Sequence, residues 1–324
     1  MPKVYITRKI SEAGIKILKD KSYEVEVNPK NKVLSKKELI KALKGKNYDA
    51  VLCLLTDKID ADVFEAAGQN AKIFVNMAVG FDNIDLEAAK ERNIMLANTP
   101  EVLTETVAEH TFTLMLALAH RIPEADRFTR AGRFKGWAPM LFLGADLSKK
   151  TLGIVGLGRI GSRVAYHAVK GFEMKVLYYD IKQNQEFEQE FGAIYKSDLD
   201  DLLGEADFVS LHVPLLESTR HLINEARLKI MKPTAYLINT SRGAVIDEKA
   251  LTMALKNKII RGAALDVFEN EPKLTPGLTK LDNVILTPHI ASATEETRSK
   301  MAELASQNII EALEGRIPPN LVKV

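Results

Sequence analysis

From residue 4 to residue 286, short β-branched runs alternate with amphipathic stretches along this chain of 324 residues. That alternation constrains the fold more than any other feature. Consecutive parallel strands need a helix-length crossover between them, so the pattern requires parallel sheets covered by helices. The strand-like runs fall into two series. The first comprises residues 4–7, 23–27, 50–54, 73–76 and 94–97. The second begins at Thr151 and comprises 152–155, 176–179, 208–211, 236–239, 263–266 and 284–286. Two series predict an α/β chain with two doubly wound parallel-sheet domains.

Several helix ends are legible. Ser35 with Glu38 forms a capping box and Gly45 stops that helix. Asp60 can cap the next helix, with Gly68 as its stop, and Ser292 with Glu295 begins a last helix running to Gly315 before Pro318-Pro319. The join between the series is expected near Asn98-Thr99-Pro100, where proline disfavours helix in the residue before it. Residues 104–120 read as one long, mostly apolar helix, expected to be buried between domains or subunits.

Composition narrows the class. A hydrophobic content of 46% supports two ordinary cores, and 27% charged residues argue against wholesale disorder. A net charge of +2 gives no footprint for nucleic acid, and the lysines at 36, 37, 41, 44 and 46 read as a solvated helix face. The single cysteine, Cys53, excludes an internal disulfide and any cysteine-rich metal site, and its apolar neighbours make it a core thiol. No metal site is expected. The longest apolar run, residues 114–119, is far short of the ~20 residues that span a bilayer. The N-terminus shows no signal-peptide stretch, so a cytoplasmic location is expected.

The segment TLGIVGLGRIGSRVA places Gly156, Gly158 and Gly161 in a G-x-G-x-x-G pattern between a strand and a helix. Such a pattern alone is common. The flanking elements and the acid that ends the next strand, Asp180, make it a dinucleotide fingerprint. Gly156 permits the tight turn, Gly158 lets the backbone approach a pyrophosphate, and Gly161 lets helix and strand pack closely. A carboxylate at 180 can accept from ribose hydroxyls and would repel a 2′-phosphate, favouring NAD over NADP. Lys182 leaves NADP open, since a nearby cation could accommodate that phosphate.

Three ionisable residues follow three successive strand-like runs: Arg242 in LINTSRG, Glu271 in AALDVFENEP and His289 in VILTPHIAS. Ligands of open α/β sheets bind outside the carboxyl ends of strands, so these side chains can meet in one crevice. Their types suit hydride-transfer chemistry on a keto acid. An imidazole can give the proton, a carboxylate can orient it, and a guanidinium can hold the substrate carboxylate and polarise the ketone. Each residue alone has an ordinary reading: a loop cap, a surface arginine, a Glu-Pro turn. Their shared placement downstream of the fingerprint gives the set its meaning.

At this point the chain resembles the D-isomer-specific 2-hydroxyacid dehydrogenases over essentially its whole length. The resemblance rests on NMAVGFDNID (76–85), TVAEHTFTLMLALAHRI (106–122), TLGIVGLGRIG (151–161), INTSRGAVIDEKAL (238–251), GAALDVFENEP (262–272) and TPHIASAT (287–294). It implies catalytic roles for Arg242, Glu271 and His289, and a substrate-carboxylate site at the backbone of Val79 and Gly80. It also implies that Arg159 and Ile160 contact the pyrophosphate and that Val213 and Pro214 line the adenosine pocket. Thr106, Thr240 and Asp266 would surround the nicotinamide. The implied organisation is a Rossmann dinucleotide-binding domain, residues 100–287, and a smaller flavodoxin-like substrate domain, residues 1–99 with 288–324. A homodimer is implied as well.

Within the family, residues 132–156 most resemble glyoxylate and hydroxypyruvate reductases. Trp137 resembles an aromatic that reaches a neighbouring subunit's active site, and is equally explained as a dimer anchor. Leu54 and Leu55 resemble the side-chain selector and give an apolar wall that tolerates a small acid without naming one. Phosphite dehydrogenases share the Gly136-Trp137-x-Pro139 stretch but resemble this chain with a lysine where Val79 stands. The alternative of another class is a dinucleotide-sensing scaffold like the corepressors of the same superfamily. Which small keto acid is reduced, and in which direction, stays open at this level.

Overall fold

The computed structural model describes residues 1–323. They form two compact units, one of Met1–Leu103 with the segment from Ser292 onward, the other of Thr104–Ala291. The first unit runs β1 (Lys3–Ile6), α1 (Glu12–Asp20), β2 (Glu24–Val27), α2 (Lys36–Leu43), β3 (Ala50–Cys53), α3 (Ala61–Ala67), β4 (Ile73–Asn76), α4 (Leu86–Glu91) and β5 (Met95–Ala97). Its parallel sheet has the order β2-β1-β3-β4-β5, the flavodoxin-like order. Every residue of β3 and β4 is buried, as expected of strands covered on both faces. β2, Glu-Val-Glu-Val at the edge, alternates exposed and half-buried positions instead.

The second unit runs α5 (Thr104–Ala119), α6 (Ile122–Arg130), β6 (Thr151–Val155), α7 (Arg159–Phe172), β7 (Lys175–Tyr179), α8 (Gln185–Phe191), β8 (Ile194–Tyr195), α9 (Leu199–Glu205) and β9 (Phe208–Leu211). It continues with α10 (Glu225–Ile230), β10 (Tyr236–Asn239), α11 (Glu248–Lys256), β11 (Gly262–Leu265) and β12 (Val284–Leu286). Seven parallel strands follow the order β12-β11-β10-β9-β6-β7-β8. The chain leaves β6 towards β7 and returns on the other side at β9, so the topological switch point lies outside the carboxyl ends of β6 and β9. Two apolar cores cover the sheet, one around Leu152, Tyr178 and Phe208, the other around Leu202, Leu237 and Leu255. Each such fully buried side chain contributes about 1.5–3 kcal/mol by leaving water.

The last helix, α12 (Glu295–Leu313), belongs to the first unit. It lies against α1 at backbone distance: a Cβ built on Gly14 would sit 2.5 Å from the Ala302 carbonyl oxygen, and Ser306 Oγ donates to the Gly14 carbonyl at 2.9 Å. Among the described residues no helix is long and apolar enough to cross a membrane.

The apolar helix α5 packs Phe112, Leu114, Met115 and Leu118 into the core around Leu152. The structure amends three sequence expectations. α12 is capped by Thr294, whose side chain accepts from the Thr297 N–H at 3.2 Å, and Ser292 lies outside it. Asp60 stands at the start of α3, yet its side chain makes an ion pair with Lys36 at 2.7 Å in place of a cap bond. The two-residue edge strand β8 had no sequence signal. The Ser35–Glu38 capping box is present, and Cys53 is fully buried.

Candidate active site

The turn between β6 and α7 is shaped by its glycines. Gly156 has φ +96°, and a Cβ there would sit 2.9 Å from the His212 backbone and from Val213 Cγ1. A Cβ on Gly161 would sit 2.0 Å from the Gly156 carbonyl oxygen. Internal packing therefore requires both glycines. Gly158 is different: its φ is −70° and a Cβ there meets nothing within 4 Å. The chain's own structure gives no reason for glycine at 158, and open space lies over the helix start. That start has no capping side chain and no acid in its first turn, which leaves helix N–H groups and their partial positive charge unblocked. The cradle fits a diphosphate.

Asp180, just past β7, accepts the Leu157 N–H at 2.7 Å on one oxygen and the Lys182 N–H at 3.4 Å on the other. It braces the glycine loop and keeps lone pairs for further donors. Arg159 is exposed and Ile160 half-buried on the first turn of α7. Val213 and Pro214 follow β9 beside Gly156. Thr106 is half-buried near the start of α5, and Thr240 Oγ1 lies 3.1 Å from Thr111 Oγ1 of the same helix.

His289, Glu271 and Arg242 stand on the loops after β12, β11 and β10. His289 Nδ1 lies 3.0 Å from Glu271 Oε2, and Glu271 Oε1 accepts the Phe268 N–H at 3.0 Å. With Nδ1 donating to the carboxylate, Nε2 is the nitrogen left to face a substrate. Burial pushes the Glu271 carboxyl up, but its bonds to His289 and Phe268 and the nearby Arg242 charge hold it below the usual carboxylate range. Arg242 is half-buried and its Nη1 donates to the Ser241 carbonyl at 2.8 Å.

The backbone of His289 is in the left-handed region, φ +55°, a conformation costing roughly 1–2 kcal/mol for a side chain of this size. Asp266 makes it tenable. The Asp266 carbonyl accepts the His289 N–H at 2.9 Å, and its carboxylate accepts from Thr287 Oγ1 (2.6 Å), Ile290 N (2.9 Å) and Ala291 N (2.8 Å). His110 Nε2 lies 3.5 Å from Asp266 Oδ1. Burial pushes the Asp266 carboxyl up, and these partners hold it lower than an ordinary aspartate. Asp266 is 0% exposed. Its side chain shapes the His289 loop.

In the first unit the loops after β3 and β4 are cross-linked by amides. Asn83 Nδ2 donates to the carbonyls of Leu54 (3.2 Å) and Asp57 (2.9 Å), while Asn76 Nδ2 donates to Asn83 Oδ1 (3.0 Å) and the Gly80 carbonyl (2.9 Å). Asn98 Nδ2 donates to the Val79 carbonyl at 2.7 Å. Both carbonyls of the Val79–Gly80 pair are thus turned into the protein. Among the described residues neither of their N–H groups meets an acceptor. Two successive unpaired amides can donate to an anion. Leu54 and Leu55 are half-buried, and the Leu54 carbonyl belongs to the same amide network. Trp137 is 86% exposed.

Sequence reasoning missed Glu248, Gly243 and the Asn76–Asn83–Asn98 network. Glu248 and Gly243 lay within the INTSRGAVIDEKAL stretch, but an acid at a helix start reads first as a dipole partner. Among the described residues no group of three or more His, Cys, Asp or Glu side chains could hold a metal ion.

Comparison with known proteins agrees with this geometry. The NAD binding domain of the D-isomer specific 2-hydroxyacid dehydrogenases matches residues 112–291. A glyoxylate reductase of Thermococcus litoralis is 52% identical over 99% of this chain and 96% of its own. A protein of known structure from Thermus thermophilus superposes with TM-score 0.92 at 43% identity, covering 99% of this chain and 100% of that one. The NADPH-dependent glyoxylate/hydroxypyruvate reductase of Sinorhizobium meliloti, solved with NADP and malonate, gives 0.87 at 29% identity over 99% and 96%. A match across more than half the length, joined to an end-to-end relative at 52% identity, makes this chain an oxidoreductase of the D-isomer specific 2-hydroxyacid dehydrogenase family.

Proposed function

We propose that the protein reduces glyoxylate or hydroxypyruvate to the D-2-hydroxy acid with a reduced nicotinamide dinucleotide, NADH in preference to NADPH. The observation that carries this reading is the 3.0 Å pairing of His289 Nδ1 with Glu271, on a loop next to Arg242. In this reading the second unit is the dinucleotide-binding domain and the first the substrate domain. The bound cofactor supplies the hydride. His289 gives its Nε2 proton to the carbonyl oxygen, Glu271 keeps the ring oriented, and Arg242 offsets the charge building on that oxygen. The free N–H groups of Val79 and Gly80 hold the substrate carboxylate, and Leu54 and Leu55 limit its side chain.

The pyrophosphate rests on the N–H groups of Gly158, Arg159 and Ile160. Val213 and Pro214 border the adenosine, and Thr106, Thr240 and Asp266 the nicotinamide end. The Asp180 carboxylate, poised for ribose hydroxyls, disfavours a 2′-phosphate. The relatives' names support the substrate class. A second copy of the chain covers the segment 122–143, where α6 has no buried residue and Phe134, Trp137 and Met140 are exposed. The work is placed in the cytoplasm, consistent with one free, buried thiol.

The test is oxidation of NADH and NADPH against a panel of small 2-keto acids. Turnover with glyoxylate or hydroxypyruvate, faster with NADH, is expected. Tight dinucleotide binding without turnover on any member would replace the enzyme by a sensor.

A further inference from the structure

We propose that Glu248 is a positioning residue for the reaction, its buried carboxylate fastening the loop that carries Glu271 to the segment that carries Arg242. This rests on the reading of His289 and Glu271 as the proton-donating pair. Glu248 opens α11, six residues after Arg242, and is 3% exposed. Its Oε2 accepts the Glu269 N–H at 2.8 Å and its Oε1 accepts the Thr275 N–H at 2.8 Å. Those two amides bracket Glu271 in the chain. One side chain thereby anchors both ends of the turn that holds the acid.

Two further contacts meet the same loop. A Cβ on Gly243 would sit 1.9 Å from the Phe268 carbonyl carbon and 2.4 Å from Glu269 N, so the segment after Arg242 touches the loop backbone to backbone. From the β9 side, His221 Nε2 lies 2.8 Å from Glu269 Oε1 and Arg220 Nη2 lies 3.7 Å from it. The loop is thus held at its backbone by Glu248 and at its side chain by His221, while Glu271 alone reaches to His289.

Each of the two carboxylate oxygens of Glu248 holds one of the two N–H groups. A carboxamide has one oxygen, and its NH2 would face an amide donor. The place at the first residue of a helix also favours negative charge. Bonds from a charged acceptor to backbone N–H are among the stronger ones, and breaking one leaves a buried donor unpaired. The effect of losing it is a displaced Glu271 and, through it, a misaimed imidazole.

The experiment compares wild type, Glu248→Gln and Glu248→Asp in steady-state reduction of glyoxylate, with NADH affinity measured by titration. For Glu248→Gln, kcat should fall on the order of 10- to 100-fold while NADH affinity moves less than about twofold. Its acid limb should move up towards the ordinary carboxylate range, because Glu271 loses the bonds that hold it down. Glu248→Asp keeps both oxygens one methylene short, so its kcat should lie between the two. That variant carries the test if the glutamine protein does not fold. An unchanged kcat and pH profile would overturn the proposal, as would an equal loss of NADH affinity and turnover. A wild-type chain inert towards every keto acid would instead sink the functional reading; an active wild type with an unaltered Glu248→Gln sinks only the role of Glu248.

Discussion

In the first unit the loops after β3 and β4 are tied by neutral amides, Asn76, Asn83 and Asn98, around the two unpaired N–H groups of Val79 and Gly80. In the second unit the loops after β10, β11 and β12 are tied by carboxylates, Glu248 and Asp266, around an imidazole and a guanidinium. Under the proposed function the difference follows from what each would hold. Amides meant for an anion lose affinity if negative charge is built beside them, so neutral cross-links suit the first unit. A proton donor gains from nearby carboxylates. The acids behave accordingly. Burial raises the carboxyl of Asp57 in the first unit, only partly offset by Thr7 and the Leu54 N–H, whereas Asp266 and Glu271 are held low despite burial.

The largest effect should come from the charged side. His289→Ala is expected to lower kcat for keto-acid reduction on the order of 10²- to 10⁴-fold while NADH binding, measured by titration, survives. Arg242→Ala should follow, with kcat/KM down roughly 10²-fold through both substrate affinity and the chemical step. Unchanged steady-state constants would remove the arginine from the site. Asp180→Ala should erode discrimination between NADH and NADPH by about tenfold, and a constant ratio would show that the carboxylate serves only the glycine loop.

On the neutral side, Asn83→Ala should raise the KM for the keto acid about fivefold and leave the KM for NADH alone. Loss of NADH affinity in that variant would mean the two networks are not separable by function. Acid stability offers the smallest contrast. Asp266 is held low in the fold, so its contribution is present above the ordinary aspartate range and fades as pH falls through its depressed value. Asp57 is raised, so protonating it favours the fold as pH falls. Hydrogen exchange at acid pH should show amides of residues 287–291 losing protection before those of the loop after β3.

Much of this was legible in the sequence. Strands 73–76, 208–211, 236–239 and 284–286 were placed to the residue, because buried parallel strands are unbroken apolar runs between glycine or helix signals. The edge strand Ile194–Tyr195 was not, since two residues give no period to read. The trio Arg242, Glu271 and His289 could be found because each lies on the loop after a strand and its chemistry is distinctive. The residues that hold them could not. Glu248 differs from a surface helix acid only by burial. Burial depends on the loops that fold over a residue, which a linear pattern does not carry. The same holds for Asn83, whose three main partners, at 54, 57 and 76, become neighbours only when β3 and β4 pair.

The most direct test is the pH dependence of single-turnover glyoxylate reduction by wild type and Glu271→Gln with saturating NADH. Wild type should slow towards alkaline pH as His289 loses its proton, and should hold its rate on the acid side to below the ordinary glutamate range, because Glu271 is held low. The glutamine protein should be slower throughout and lack that acid limb. Identical profiles for the two proteins, or a wild-type rate flat into the alkaline range, would contradict the account.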